Sequence, residues 1–94
     1  MAARAADPPP DPGATRALAC AGCHGADGLS VRPDAPNLAG QPAIYLAAQL
    51  RAYRAGVRRH EVMSLVARDL SDEDIARLAA WFAAIHVEAT PPAR

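Results

Sequence analysis

The sequence contains no lysine, only two cysteines, and just four aromatic residues, Tyr45, Tyr53, Trp81 and Phe82. Ten arginines meet ten acids, so the formal charge is zero. The basic excess of a nucleic-acid binder is therefore missing. No stretch reaches the roughly 18 consecutive apolar residues that a membrane-spanning helix needs. Ninety-four residues make one small domain, near the size at which a single core becomes marginal. Alanine supplies much of the apolar fraction, and alanine buries little area per residue. A core made of protein alone would be thin, so the composition asks for a large apolar guest.

Both cysteines fall in one stretch, Cys20-Ala21-Gly22-Cys23-His24. Two thiols three positions apart can each add to one vinyl group of a porphyrin, and the imidazole that follows can then reach the iron. This is the pattern of c-type haem attachment. Three other readings of a Cys-x-x-Cys pair fit less well. A thioredoxin-type redox pair needs a βαβ context, and no strand pattern precedes these cysteines. A zinc site needs four ligands, which would draft His60 and His86 at irregular spacing. A disulfide across a two-residue gap would constrain little of the unfolded chain. The expected cofactor is one haem c, attached through Cys20 and Cys23.

Along the chain, residues 1–12 are rich in Ala, Asp and Pro and read as a proline-stiffened arm or linker. Asp11-Pro12 is an N-cap followed by proline at the first helical position, so a short helix is expected from Pro12 to Cys20. Gly25, Gly28, Pro33, Pro36 and Gly40 leave no regular element in 25–40. A loop this long in a small domain usually wraps something. Pro42 opens a second helix to Ala55, with Gly56 as its stop. Leu46, Leu50 and Tyr53 form its apolar stripe with Ala43 and Ala47, while Arg51 and Arg54 take the wet side. Residues 57–70 read as a second connector. Ser71 with Asp74 is a capping-box-like start to a last helix that runs to His86. Its stripe is Ile75, Leu78, Phe82 and Ile85, with Trp81 on the flank. The expected architecture is all-α: three helices and two long loops, a domain over 13–86 and a frayed tail over 87–94.

With His24 on one face of the iron, the sixth position falls to Met63, His60, His86, a water or nothing. Met1 sits on the arm. Most methionines only fill gaps in a core, but Met63 lies 39 residues beyond His24, past one helix, where the chain can return on the other face of the ring. His60 follows Arg58-Arg59 and precedes Glu61, as a solvated histidine would, and His86 suits the end of a helix. Met63 is the favoured ligand. With both axial positions filled by protein, outer-sphere electron transfer is the chemistry left, and a thioether ligand favours ferrous iron.

These features together resemble a class I cytochrome c of the short bacterial branch that includes the repeat unit of the dihaem cytochromes c-four. The likeness runs from Gly13 to Ile85. Besides the haem motif it includes Asp27-Gly28, Pro36-Asn37-Leu38-Ala39-Gly40-Gln41, Tyr45-Leu46, Gln49-Leu50, Met63 and Leu70-Ser71-Asp72-Glu73-Asp74. The resemblance implies first and last helices that cross at Trp81 or Phe82. It implies a Pro36 carbonyl that accepts from the ring N–H of His24, Met63 as the distal ligand, and Tyr45 and Gln49 as further cofactor contacts. Leu29 stands where relatives often carry asparagine. Ser64, Leu65 and Val66 replace a glycine and second methionine.

The implied activity is one-electron transfer between redox proteins, either as a free shuttle or as a dedicated subunit or domain of a dehydrogenase such as a flavoprotein. A haem-based sensor would need an exchangeable sixth ligand. Residues 41–70 carry five arginines against Glu61 and Asp69, an excess of three positive charges. Arg51, Arg54, Arg58 and Arg59 are thus either a solvated face or a docking patch for an acidic partner. Bacteria attach haem covalently outside the cytoplasm, so a periplasmic or other extracytoplasmic location is expected. No apolar signal segment follows Arg4, and Met1 is expected to succeed a removed signal or an upstream domain.

Overall fold

The computed structural model describes residues 11–93, and among these there is no strand. The expected all-α class is what it shows. Helix α1 spans Pro12–Ala17, a 3-10 turn covers Leu18–Cys20, and α2 spans Ala21–His24. Then come α3, Ala43–Ala55, α4, Met63–Arg68, and α5, Asp72–Ala84. Residues 1–10 of the expected arm lie outside the described residues, and Asp11 and Pro12 belong to the helical domain.

The ends of these helices follow their capping chemistry. Asp11 Oδ1 accepts from the Gly13 N–H at 2.7 Å, with Pro12 just inside the helix. Gly56 adopts a left-handed φ of 76° after α3. The Val57 N–H then reaches back to the Ala52 carbonyl at 3.0 Å, which closes a Schellman motif. At the start of α5, Ser71 Oγ accepts from the Asp74 N–H at 3.0 Å, and the Ser71 N–H donates to Asp74 Oδ2 at 3.1 Å. Aspartate completes this capping box as glutamate commonly does.

Helix α5 packs against both α1 and α3, and α3 against α4. The α1–α5 crossing is close because Gly13 has no side chain: a Cβ there would lie 2.5 Å from the Arg77 carbonyl oxygen and 2.8 Å from Trp81 Cβ. Trp81 thus marks the crossing, while Phe82 is buried in the core beneath it. Arg16 ties the same two helices through Asp74 at 2.9 Å.

The core is as thin as the composition implies. Its buried apolar residues are Ala17, Leu46, Ala47, Ala67, Leu70, Ile75, Leu78, Ala79 and Phe82, and four of the nine are alanine. Leu50, Tyr53, Trp81 and Ile85 pack around it, half-buried.

Three expectations need correction. The segment 57–70 is not all connector, since α4 begins at Met63 and ends at Arg68. Its turn is seeded by an imidazole rather than a typical N-cap: His60 Nδ1 accepts from the N–H groups of Val62 and Met63, at 3.2 and 3.3 Å. Secondly, α5 stops at Ala84, two residues short of His86, because Ile85 turns to extended backbone. Thirdly, Arg54 does not sit on a wet face. It donates to the Leu70 carbonyl at 3.1 Å and pairs with Asp72 at 2.6 Å, binding α3 to the entrance of α5.

Candidate functional site

The helical run from Pro12 to His24 delivers the motif residues in order. Cys20 closes the 3-10 turn, and Cys23 and His24 sit on α2. The two thiols are not bonded to each other. Burial pushes the Cys20 thiol up in pKa, partly offset by Arg16, with Cys23 adding to the rise. A redox-active pair needs the opposite shift, towards thiolate. Among the described residues no cluster of three or more His, Cys, Asp or Glu side chains could hold a metal ion, which removes the zinc reading as well.

His24 is buried, 7% exposed, and its Nδ1 lies 2.8 Å from the Pro36 carbonyl oxygen. A carbonyl can only accept, so Nδ1 carries the proton and Nε2 keeps its lone pair. No buried side-chain nitrogen or oxygen among the described residues lacks a partner. The unpartnered Nε2 therefore opens onto the space in front of it.

That space is a cleft of about 390 Å³, within the usual range for a ligand site. Cys20, Cys23, His24 and Met63 all line it, although they come from three parts of the chain. Leu46 and Leu50 of α3, Val66 of α4, Leu70, and Leu78 and Phe82 of α5 make its wall apolar. Pro36, Tyr45 and Gln49 line it too. Tyr45, Val62 and Val66 count as exposed at 48%, 48% and 42%, and all three line this cleft. They are the wall of a binding site rather than an ordinary surface.

The other two histidines are placed differently. His60 stands on the cleft lining, but its Nδ1 accepts from two backbone N–H groups. The neutral ring then carries its proton on Nε2 and has no lone pair left for a metal. His86 lies away from the cleft, exposed beside Glu88 at 3.5 Å. Met63, half-buried as the first residue of α4, is the sulfur on the cleft wall besides the two thiols.

Some lining residues had no clear signal in the sequence. Arg32 grips Asp34 through two bonds of 3.1 Å and reaches within 3.9 Å of Cys23 Sγ. That grip holds the Asp34 carboxyl below the usual carboxylate range. Val62 and Val66 were findable, since they stand four apart with Met63 between them, one helical turn.

The donor set of two thiols, one imidazole nitrogen and one thioether around an apolar slot fits a covalently held porphyrin. Sequence comparison agrees. The profile of the family described as Cytochrome c matches residues 11–85. The chain belongs to the cytochrome c family. This cytochrome c domain is 47% identical over 66 residues to cytochrome c-554(548) of Halomonas halodenitrificans, covering 67% of the chain and 80% of that protein. It is 44% identical over 71 residues to cytochrome c4 of Pseudomonas aeruginosa, covering 76% of the chain but 35% of that relative. The fold superposes on the thiosulfate dehydrogenase (TsdBA) structure from Marichromatium purpuratum with a TM-score of 0.72 at 38% identity. That match covers 86% of this chain and 20% of the other. The chain thus spans 80% of the first of these proteins but only 35% and 20% of the other two. The family implies one covalently bound haem c, with Cys20 and Cys23 in the position of its attachment motif, and the cytochrome c4 and electron-acceptor relatives are electron carriers.

Proposed function

We propose that this cytochrome c domain is a periplasmic one-electron carrier whose iron is held between His24 Nε2 and the Met63 thioether. Bound haem c supplies the ferric/ferrous couple. The polypeptide supplies everything that keeps that couple reversible. Cys20 and Cys23 fix the ring's position. The Pro36 carbonyl holds the His24 imidazole in one tautomer and one orientation and raises its basicity. Met63 brings a soft ligand that favours the ferrous state. Leu46, Leu50, Val66 and Phe82 keep water from the iron. The observation that carries the reading is the convergence of Cys20, Cys23, His24 and Met63 on one apolar cleft.

The test is exposure of the reduced protein to carbon monoxide. A six-coordinate carrier leaves its spectrum unchanged over minutes. Rapid formation of a carbonyl complex would contradict the assignment of Met63 and favour a haem-based sensor.

Acidic redox partners suit the arginines of residues 41–70, but the four named arginines do not act together. Arg54 is spent on Leu70 and Asp72, and Arg58 is turned onto the cleft lining against Gln49 and Tyr53. Arg51 and Arg59 face solvent, so docking falls to these two. Their contribution is to association rate, and it fades with salt.

A second reading is that the domain serves as the electron-accepting part of a larger oxidoreductase. Its support is that the chain superposes on one fifth of a thiosulfate dehydrogenase structure. Purification from the native cell separates the two: a stoichiometric dehydrogenase partner supports the subunit, and a lone cytochrome supports the shuttle.

A further inference from the structure

Met63 stands in a stretch with little packing of its own. None of residues 57–66 is buried, and only Met63 and Ser64 among them are half-buried. Helix α4, which Met63 opens, has six residues and no acidic side chain in its first turn. Its start is held by hydrogen bonds to one residue. His60 Nδ1 accepts from the N–H groups of Val62 and Met63, at 3.2 and 3.3 Å. The His60 carbonyl accepts from the Ser64 N–H at 2.9 Å, and Ser64 Oγ accepts from the His60 N–H at 2.9 Å. This is the reciprocal logic of a capping box, with a histidine ring in place of the usual hydroxyl and a serine in place of the glutamate.

A methionine side chain is flexible and sets no direction by itself. The point from which Met63 reaches into the cleft is therefore fixed by its backbone, and the N–H of that backbone is bonded to His60. Val62 and Val66 stand on either side of Met63 and line the same cleft. With the slot filled they leave the sulfur little room to swing aside, so its withdrawal requires the first turn of α4 to open and the His60 bonds to break. We infer that His60 is a positioning residue for the distal ligand, and that its ring, by capping α4, sets how readily the Met63 sulfur leaves the iron. This rests on the His24 and Met63 reading above.

The ferric holoprotein mixed with cyanide at one fixed pH tests it, because displaced sulfur takes its weak far-red band with it. At saturating cyanide the rate of band loss is the rate at which the sulfur leaves. His60→Ala should keep the band at rest and lose it about fivefold faster in cyanide, the equivalent of about 1 kcal/mol for a lost helix cap. His60→Asn, whose side-chain oxygen accepts from the same N–H groups, should restore most of the native rate. Ser71→Ala removes a cap of similar worth from α5, off the cleft lining, and should leave the rate near native. A native rate in His60→Ala, or equal acceleration in Ser71→Ala, overturns the inference.

Amide exchange in the native ferrous holoprotein needs no variant. The N–H groups of Val62 and Met63 should exchange more slowly than that of Glu61, which has no acceptor among the described residues. Exchange as fast as that of Glu61 overturns the inference even if His60→Ala does not mature. A native protein without the far-red band sinks the Met63 assignment and this inference with it. A native band with an unaltered rate in His60→Ala sinks this inference alone.

Discussion

Residues 11–42, which carry Cys20, Cys23, His24 and Pro36, and residues 56–70, which carry Met63, differ in how far the polypeptide fixes its own shape. The first region is laced together. Ser30 Oγ and the Val31 N–H both bond the Cys23 carbonyl, at 3.3 Å each. Leu38 donates to the Gly28 carbonyl at 2.8 Å, and Gly40 to the Phe82 carbonyl at 2.9 Å. Gly28 has a φ of 77°, and a Cβ on it would sit 2.8 Å from the Ala39 nitrogen. The second region is loose. Gly56 has a similar φ of 76° with nothing within 4 Å of its would-be Cβ. Val57, Val62, Leu65 and Val66 are exposed, and Ala67 and Leu70 are the buried anchors of the segment. The histidine side of the cleft is held by backbone hydrogen bonds of its own. The methionine side puts Val62 and Val66 on the cleft wall, where a bound porphyrin would cover them.

The largest expected break of this asymmetry comes from the attachment point. Cys20→Ser with Cys23→Ser removes both thioether bonds. Absorbance of the purified protein should show no covalent haem, and its helical circular dichroism should fall sharply, since the remaining core is nearly half alanine. Full native helicity without haem would contradict the guest-dependent core.

The two glycines test the comparison directly. Gly28→Ala meets both a left-handed backbone and a neighbouring peptide, and should cost roughly 3 kcal/mol, or a fall in Tm of roughly 12 °C or more. Gly56→Ala meets only the backbone preference and should cost about 1 kcal/mol, roughly 4–8 °C. Equal losses in thermal melts of the two holoproteins would erase the distinction between the regions.

Replacing the proposed distal ligand should change chemistry more than stability. Met63→Ala is expected to keep its haem, lose the weak far-red band of ferric iron bound to methionine sulfur, and bind carbon monoxide when reduced. His60→Ala should keep both its haem and the far-red band and bind no carbon monoxide, because that imidazole holds the α4 backbone rather than the metal. Carbon monoxide binding by the histidine variant instead would reverse the assignment.

The smallest effect concerns acid. The hydrogen bonds of the Ser71 backbone and hydroxyl, with Arg16, lower the Asp74 pKa, and Arg54 lowers that of Asp72. A carboxylate with a depressed pKa in the fold stabilises it above the ordinary carboxylate range. That contribution disappears as pH falls through the folded value. Between about pH 5 and pH 2 the native protein should lose more stability than the variant combining Asp72→Asn and Asp74→Asn. Parallel melting curves would contradict this. At neutral pH, Ser71→Ala should cost about 1 kcal/mol as a lost helix cap.

What could be read from the residues alone tracks the same divide. Asp11-Pro12, Gly56 and Ser71-Asp74 mark helix boundaries because capping is local chemistry. Cys20, Cys23 and His24 are legible because covalent attachment demands a fixed spacing. The Pro36 contact came only through family likeness, since a carbonyl leaves no trace in residue identity. Helix α4 escaped because it has six residues and begins with an imidazole cap. Arg54 and Arg58 read as surface charges because their partners, the Leu70 carbonyl, Asp72, Gln49 and Tyr53, are tertiary. Periodicity along one helix cannot reveal a partner on another.

The most direct test of the central claim is the visible spectrum of the mature protein, oxidised and reduced, before and after acid–acetone extraction. The account predicts haem that stays with the polypeptide, sharp reduced bands of low-spin iron, and the weak far-red ferric band of a methionine sulfur ligand. Haem that extracts freely would contradict attachment at Cys20 and Cys23, and a missing far-red band would contradict Met63 as the sixth ligand.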